Sequence, residues 1–273
     1  LSIVLIALGI IHALTRKLYL SVVAAWFVGS LPLLTNQAME GGYADLWLAC
    51  VFLAAAGSIM VGLATGSGQP TFLGLAVALL LLAIKNIGVV FLAILVAATV
   101  IFALFRVSRV LALATMTLGV ILCTSLATHG FDLSGLGIDV FWNPETSRVR
   151  FAGWTDTLVY NPMSLVAENQ LYAFLVNSSF SLTLVVTLAA VLALSTSRLT
   201  PEHERFFLVG LTVLSLGAVF FISAQLFTWY GTNYAMPGSD TGNSRLMLPL
   251  VTYQLVWSFC LLGGLLDRYG TRE

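Results

Sequence analysis

Charge is scarce in this sequence. Only 9% of its 273 residues are Asp, Glu, Lys or Arg, whereas soluble domains carry about 25%. Neither sign is in excess: twelve basic and twelve acidic residues give a formal net charge of zero. That balance excludes the basic surface a nucleic-acid partner would need. Cysteine is rare too. Cys50, Cys123 and Cys260 all lie inside apolar runs, without metal-ligand spacing, and read as small hydrophobes. There is no Walker loop, dinucleotide fingerprint, Ser/His/Asp order, internal repeat or low-complexity tract. Nor is there an initiator Met: the chain opens Leu-Ser-Ile-Val, already inside an apolar run, which reads as a fragment whose N-terminal part is missing.

What remains is apolar. Hydrophobic residues make up 59% of the chain and the mean hydropathy is +0.98. Spanning helices need roughly 20 apolar residues. On that scale the runs at about 1–14, 18–34, 45–64, 71–84, 87–105, 110–128, 171–195, 206–227 and 246–266 predict an all-α, polytopic transmembrane bundle of about nine spans. The fourth run is short; it either extends into its flanks or forms a partial-depth helix packed in protein. The chain divides into helices one to six (1–128), an outer loop (129–170), and helices seven to nine with a short tail (171–273). The loop's Arg148-Val-Arg-Phe-Ala predicts a short strand pair, and Pro162 to Glu168 an interfacial helix.

Basic residues mark the cytoplasmic side of a membrane protein. Placing Arg16/Lys17, Arg106/Arg109, Arg198/Arg205 and Arg268/Arg272 inside lets nine spans alternate and leaves Lys85, Arg148, Arg150 and Arg245 outside. The connections on the outer face are then the longer and more polar ones.

Three constellations fall on that face. In the first, Glu40-Gly-Gly-Tyr43-Ala-Asp45-Leu-Trp47, Asp45 opens an apolar helix. It can favour the positive helix end, or line an outward cavity with Tyr43 and Trp47 as an aromatic wall. In the second, Lys85-Asn86, Lys85 is the only charge between Asp45 and Arg106. It reads as a snorkelling loop lysine or as a phosphate clamp, with Asn86 as neutral donor and Gly88 admitting a head group close to the backbone. The third, Pro237-Gly-Ser-Asp240-Thr-Gly-Asn243-Ser244-Arg245, reads as an anion-binding loop or as a helix cap with Arg245 paired to Asp240. His129 with Asp132 at the start of the long loop is a weaker pair, able to hold a metal or assist acid–base work. Gln225 and Asn177 read as interhelical hydrogen-bond partners.

The order of these motifs resembles a family. Gly-Tyr-Ala-Asp45-Leu-Trp-Leu-Ala, then Ala-Ile-Lys85-Asn86-Ile-Gly88-Val-Val, and later Asn243-Ser244-Arg245-Leu-Met-Leu-Pro249, are similar to segments of polytopic C-type (GT-C) glycosyltransferases. These are the dolichyl-phosphate-mannose-protein mannosyltransferase-like and aminoarabinose-transferase-like membrane enzymes. The similarity covers about residues 18–105 and 240–266. Ile84 and Ile87 depart from the family pattern. The resemblance implies transfer of a sugar from a polyprenyl-phosphate donor to a glycan, lipid or protein acceptor, on the periplasmic face of a bacterial inner membrane. It places the main catalytic base upstream of Leu1. Asp45 and Glu40 are then secondary base or sugar-binding candidates, and Lys85, Asn86, Arg245, Tyr43 and Asn243 are substrate-binding candidates. No metal ligand is assigned, and a divalent ion is the one cofactor to consider. The competing readings are an O-antigen polymerase- or ligase-like enzyme acting through Arg148, Arg150 and His129, a transporter or flippase, and a noncatalytic scaffold.

Overall fold

The computed structural model describes residues 1–39, 44–85, 87–136, 140–146, 148–151, 154–160, 168, 171, 178–195, 201–229 and 243–270. The helices are α1 (Ser2–Thr15), α2 (Leu18–Gly29), α3 (Pro32–Met39), α4 (Ala44–Thr65), α5 (Gly68–Ala78), α6 (Leu81–Ile84), α7 (Gly88–Val107), α8 (Arg109–His129), α9 (Ser178–Ser195), α10 (Pro201–Leu226) and α11 (Asn243–Gly270). The strands are β1 (Phe131–Asp132), β2 (Val140–Asn143), β3 (Arg148–Phe151), β4 (Trp154–Tyr160) and β5 (Phe227–Trp229).

Among the described residues, three segments are long and apolar enough to cross a membrane: α4, α7 and Met247–Gly264 of α11. At 1.5 Å per residue the 22 residues of α4 extend about 33 Å, close to the hydrocarbon thickness of a bilayer. Shorter apolar helices pack around them. The expected run at 18–34 is not one helix. It breaks at Ser30–Leu31 because Pro32 lacks an N–H and disfavours helical geometry in the residue before it. The short fourth run is likewise divided, into α5 and α6.

The core lies where α1, α4, α7 and α11 meet. Phe52 of α4 packs edge-on against Phe91 of α7 and Tyr253 of α11, with ring centroids 5.1 and 6.0 Å apart. The buried Tyr253 hydroxyl donates to Met60 Sδ at 3.1 Å. Glycines bring backbones close: a Cβ on Gly74 of α5 would lie 2.7 Å from the Ala55 carbonyl oxygen of α4. Small residues allow this kind of approach, which dispersion and interhelical polar contacts then reward.

These contacts fix which helix ends lie together. Ile3 lies at Cys50 and Ile10 at Gly57, while Phe91 meets Phe52 and Arg106 approaches Gly66, so α1, α4 and α7 run in the same direction. Gly29 meets Val4, so α2 returns along α1. Tyr253 lies level with Phe52 and Met60, and Gly263 meets Thr15, so α11 runs with α4. Lys17 Nζ donates to the Gly263 carbonyl at 3.3 Å at one end of the bundle. At the other, the Leu33 amide donates to Ser179 Oγ at 3.0 Å.

One polar network joins α9 to α11. Gln254 Nε2 donates to Thr187 Oγ1 at 3.0 Å, and the hydroxyls of Thr187 and Ser258 lie 2.9 Å apart. Such interhelical bonds contribute about 0.6 kcal/mol each in membrane bundles. Thr187→Val keeps the volume and removes the hydroxyl. A melting measurement is expected to show a loss of about 1 kcal/mol; an unchanged melt would mean the network contributes nothing.

The all-α expectation needs one correction. The segment expected as a long loop, 129–170, supplies four strands and β5 adds a fifth, in the antiparallel order β1-β2-β3-β4-β5. The pair expected at Arg148–Phe151 is thus the middle of a meander. Its segments are rich in Val, Thr, Phe, Tyr and Trp, which fit a pleated surface. The β2–β3 connection is closed by Asn143, whose Oδ1 accepts from the amides of Glu145 and Thr146, an Asx turn. Leu158 pairs with Trp229, so the sheet ties the loop to the end of α10. The interfacial helix expected at Pro162 to Glu168 falls, apart from Glu168, outside the described residues.

Candidate functional site

Asp45 and Lys85, forty residues apart in sequence, meet in an ion pair with Nζ donating to Oδ1 at 2.6 Å. Asp45 stands in the first turn of α4, where its charge also suits the positive helix end. Lys85 ends α6 in an extended conformation (φ −160°, ψ 149°). The chain then turns at once into α7, and the Gly88 amide donates back to the Lys85 carbonyl at 2.7 Å.

The two partners are unequal. The Asp45 side chain is 2% exposed and that of Lys85 is 42% exposed. The carboxylate is therefore the fixed, desolvated member. The ammonium has three donors, one directed at Asp45, and presents the rest of its surface outward. A buried carboxylate without its cation is costly, so Asp45 fixes where Lys85 can stand.

Gly88 does not leave room for a head group. A Cβ there would overlap the Leu81 carbonyl oxygen, so the glycine is needed for the tight α6–α7 turn that presents Lys85. Trp47 is 65% exposed on α4, while Asp45 is buried, so the two do not form a common cavity wall. Trp47 points to the surroundings of the bundle.

Arg245 and Asn243 are in the first turn of α11, and only their backbone is described. Arg245 lies eight residues before Tyr253, about 12 Å along the axis, and Tyr253 packs on Phe52, seven residues after Asp45. The start of α11 is therefore at the Asp45–Lys85 end of the bundle. Glu40, Tyr43, Asn86 and Asp240 lie outside the described residues.

A second polar region opens at the α8–β1–β2 junction, an open cleft of about 500 Å³ lined by residues that include His129, Asp132, Trp142 and Glu145. His129 Nδ1–H donates to the Ser125 carbonyl at 3.1 Å, one helical turn back. The Asp132 carboxyl is held below the ordinary carboxylate range, first by the Ser134 hydroxyl and amide and to a lesser extent by the Arg150 guanidinium. Arg150 stands 5.7 Å from the Phe141 ring centroid. Among the described residues, no three His, Cys, Asp or Glu side chains gather as a metal site.

The chain matches no protein-family model, no curated protein and no solved structure. Its function must therefore be argued from the geometry.

The sequence singled out Asp45 and Lys85 separately and did not pair them. One signal was available: they are consecutive charges in the chain, and the alternation of spans puts both at the same end. The cleft was signalled only by His129 and Asp132. The contributions of Asn143 and Glu145 depend on the β2–β3 turn, which a sequence pattern does not position.

Proposed function

We propose that this chain is part of a multi-pass integral-membrane glycosyltransferase that moves a sugar from a polyprenyl-phosphate donor to an acceptor on the outer, periplasmic face. The carrying observation is the half-exposed Lys85 ammonium held by the buried Asp45 at one end of an apolar bundle. Breakdown of a lipid-phosphate sugar places negative charge on the departing phosphate, and a preorganised cation stabilises that charge most where water is depleted. Lys85 is the phosphate-binding group in this reading, Asp45 the residue that positions it, and Arg245 the second cation.

The setting favours such a donor. Leu5, Val22, Val96, Val100, Leu118, Val185, Leu188 and Val219 are apolar and exposed around the helices, as lipid contact requires. Trp26 and Trp47 are exposed at the Lys85 end and Tyr19 at the opposite end, the pattern of aromatic anchors at two membrane boundaries. Lys85 then stands at the boundary where a lipid phosphate lies. A lone cation at mid-depth would be much less favourable.

A structural clamp is the second reading, favoured by the short 2.6 Å contact that already matches the charge of Asp45. An assay of sugar transfer by the whole enzyme separates the two. With Lys85→Met/Asp45→Asn, and separately with Arg245→Ala, transfer is expected to fall at least about 100-fold, the scale of a lost electrostatic contact to the reacting group. The folded protein is expected to persist. Wild-type turnover in either variant would sink the assignment of that cation.

A further inference from the structure

The cleft at the α8–β1–β2 junction has a chemistry opposite to that of Lys85, and we infer that it binds a saccharide without acidic groups. Trp142 and Phe131 stand opposite each other on β2 and β1 and are half-buried, so ring surface remains open at the sheet edge. Aromatic rings offer flat apolar surface together with, in tryptophan, a polar N–H. The C–H face of a pyranose needs that surface. Around the rings, Asp132 and Glu145 present exposed carboxylates that accept from sugar hydroxyls, and His129 and Asn143 add further polar groups.

Asn143 Oδ1 is occupied by the amides of Glu145 and Thr146, so its side chain is oriented with the amide nitrogen directed away from the turn. Gly130, at φ +77°, carries the chain from α8 into β1; a Cβ there would lie 2.5 Å from the Trp142 carbonyl oxygen. The glycine thus fixes how closely α8 approaches the strand bearing Trp142. The volume falls within the range of about 300–1,000 Å³ common to small-molecule sites.

Two other ligand classes fit less well. Among the described residues no Lys or Arg lines the cleft; the nearby Arg150 guanidinium is engaged by Asp132 and the Phe141 ring, and Glu145 disfavours phosphates and uronic acids. A divalent cation needs several converging ligands, and no group of three gathers among the described residues.

The inference goes beyond the transferase reading and does not depend on it. The cleft is built on α8 and the sheet, the phosphate-binding pair on α4 and the α6–α7 turn. The test titrates the full chain in nanodiscs with neutral trisaccharides (cellotriose, mannotriose, galactotriose and chitotriose) and with trigalacturonic acid, read by calorimetry. At least one neutral trisaccharide is expected to bind below about 10 mM. Trp142→Ala is expected to weaken that binding at least about tenfold and Trp142→Phe less than about threefold. Glu145→Gln, on an exposed turn, provides a variant that leaves packing intact, with an expected loss of about threefold or more. Lys85→Met/Asp45→Asn is expected to leave saccharide binding unchanged. Absence of binding by every neutral trisaccharide, equal binding of trigalacturonic acid, or unaltered affinity in both Trp142→Ala and Glu145→Gln would overturn the proposal.

Discussion

Replacing Lys85 by methionine is expected to destabilise the protein more than replacing its partner Asp45 by asparagine. The order follows from the unequal burial of the pair. Lys85→Met leaves a carboxylate that is 2% exposed without a countercharge. Breaking a buried pair from one side costs about 3–5 kcal/mol; with one partner half in solvent, about 2–4 kcal/mol is expected here. Asp45→Asn leaves an ammonium that already reaches the surface, and its loss is expected to stay below about 1 kcal/mol. The double variant removes both charges and is expected to melt within about 1 kcal/mol of the wild-type protein. Melting curves of the four proteins in one detergent or nanodisc preparation check the order. Equal losses for the two single variants would show that Asp45 is solvated despite its position.

Gly88→Ala is expected to have a comparably large effect, for a steric reason. The added methyl would overlap the Leu81 backbone carbonyl. A flexible side chain can swing away from such a contact, but a helix carbonyl moves only with its helix. Overpacking costs about 1–3 kcal/mol and more where backbone must shift, so a loss of about 3 kcal/mol is expected. Because the same turn carries Lys85, the variant is also expected to weaken the Asp45–Lys85 pair. Combining Gly88→Ala with Lys85→Met should therefore destabilise by less than the sum of the two single losses, as coupled neighbours do. Strict additivity would mean that the turn and the ion pair are independent.

Both effects concern features that the sequence showed only in part. The apolar runs of α4, α7 and α11 were legible because length and composition alone define them. The broken run at Pro32 was legible in principle, since the proline marks it, but hydropathy averages over the break. The sheet was harder. Arg148–Phe151 alternates as a strand should, whereas β5 directly follows the long apolar α10 and pairs with β4 across α9 and α10. Pairing at that separation leaves no local pattern.

At the site, charge bias placed Asp45, Lys85 and Arg245 on one face, and the bundle brings the first two together and the start of α11 to the same end. Which carboxylate Lys85 meets depends on how far α6 extends before the turn at Gly88. Tertiary packing of Gly88 on Leu81 determines that. Lys85 is level with the first turn of α4.

The most direct measurement is the binding of a short-chain polyprenyl phosphate to Asp45→Asn and to Lys85→Met/Asp45→Asn in nanodiscs, with the matching polyprenol as control. The two variants differ only at residue 85. If Lys85 binds the phosphate, Asp45→Asn, although weakened by loss of the positioning carboxylate, binds the polyprenyl phosphate at least about tenfold more tightly than the double variant, and the two bind the polyprenol alike. Equal affinity of both variants for the polyprenyl phosphate would contradict the assignment and leave the Asp45–Lys85 pair as a clamp between α4 and the α6–α7 turn.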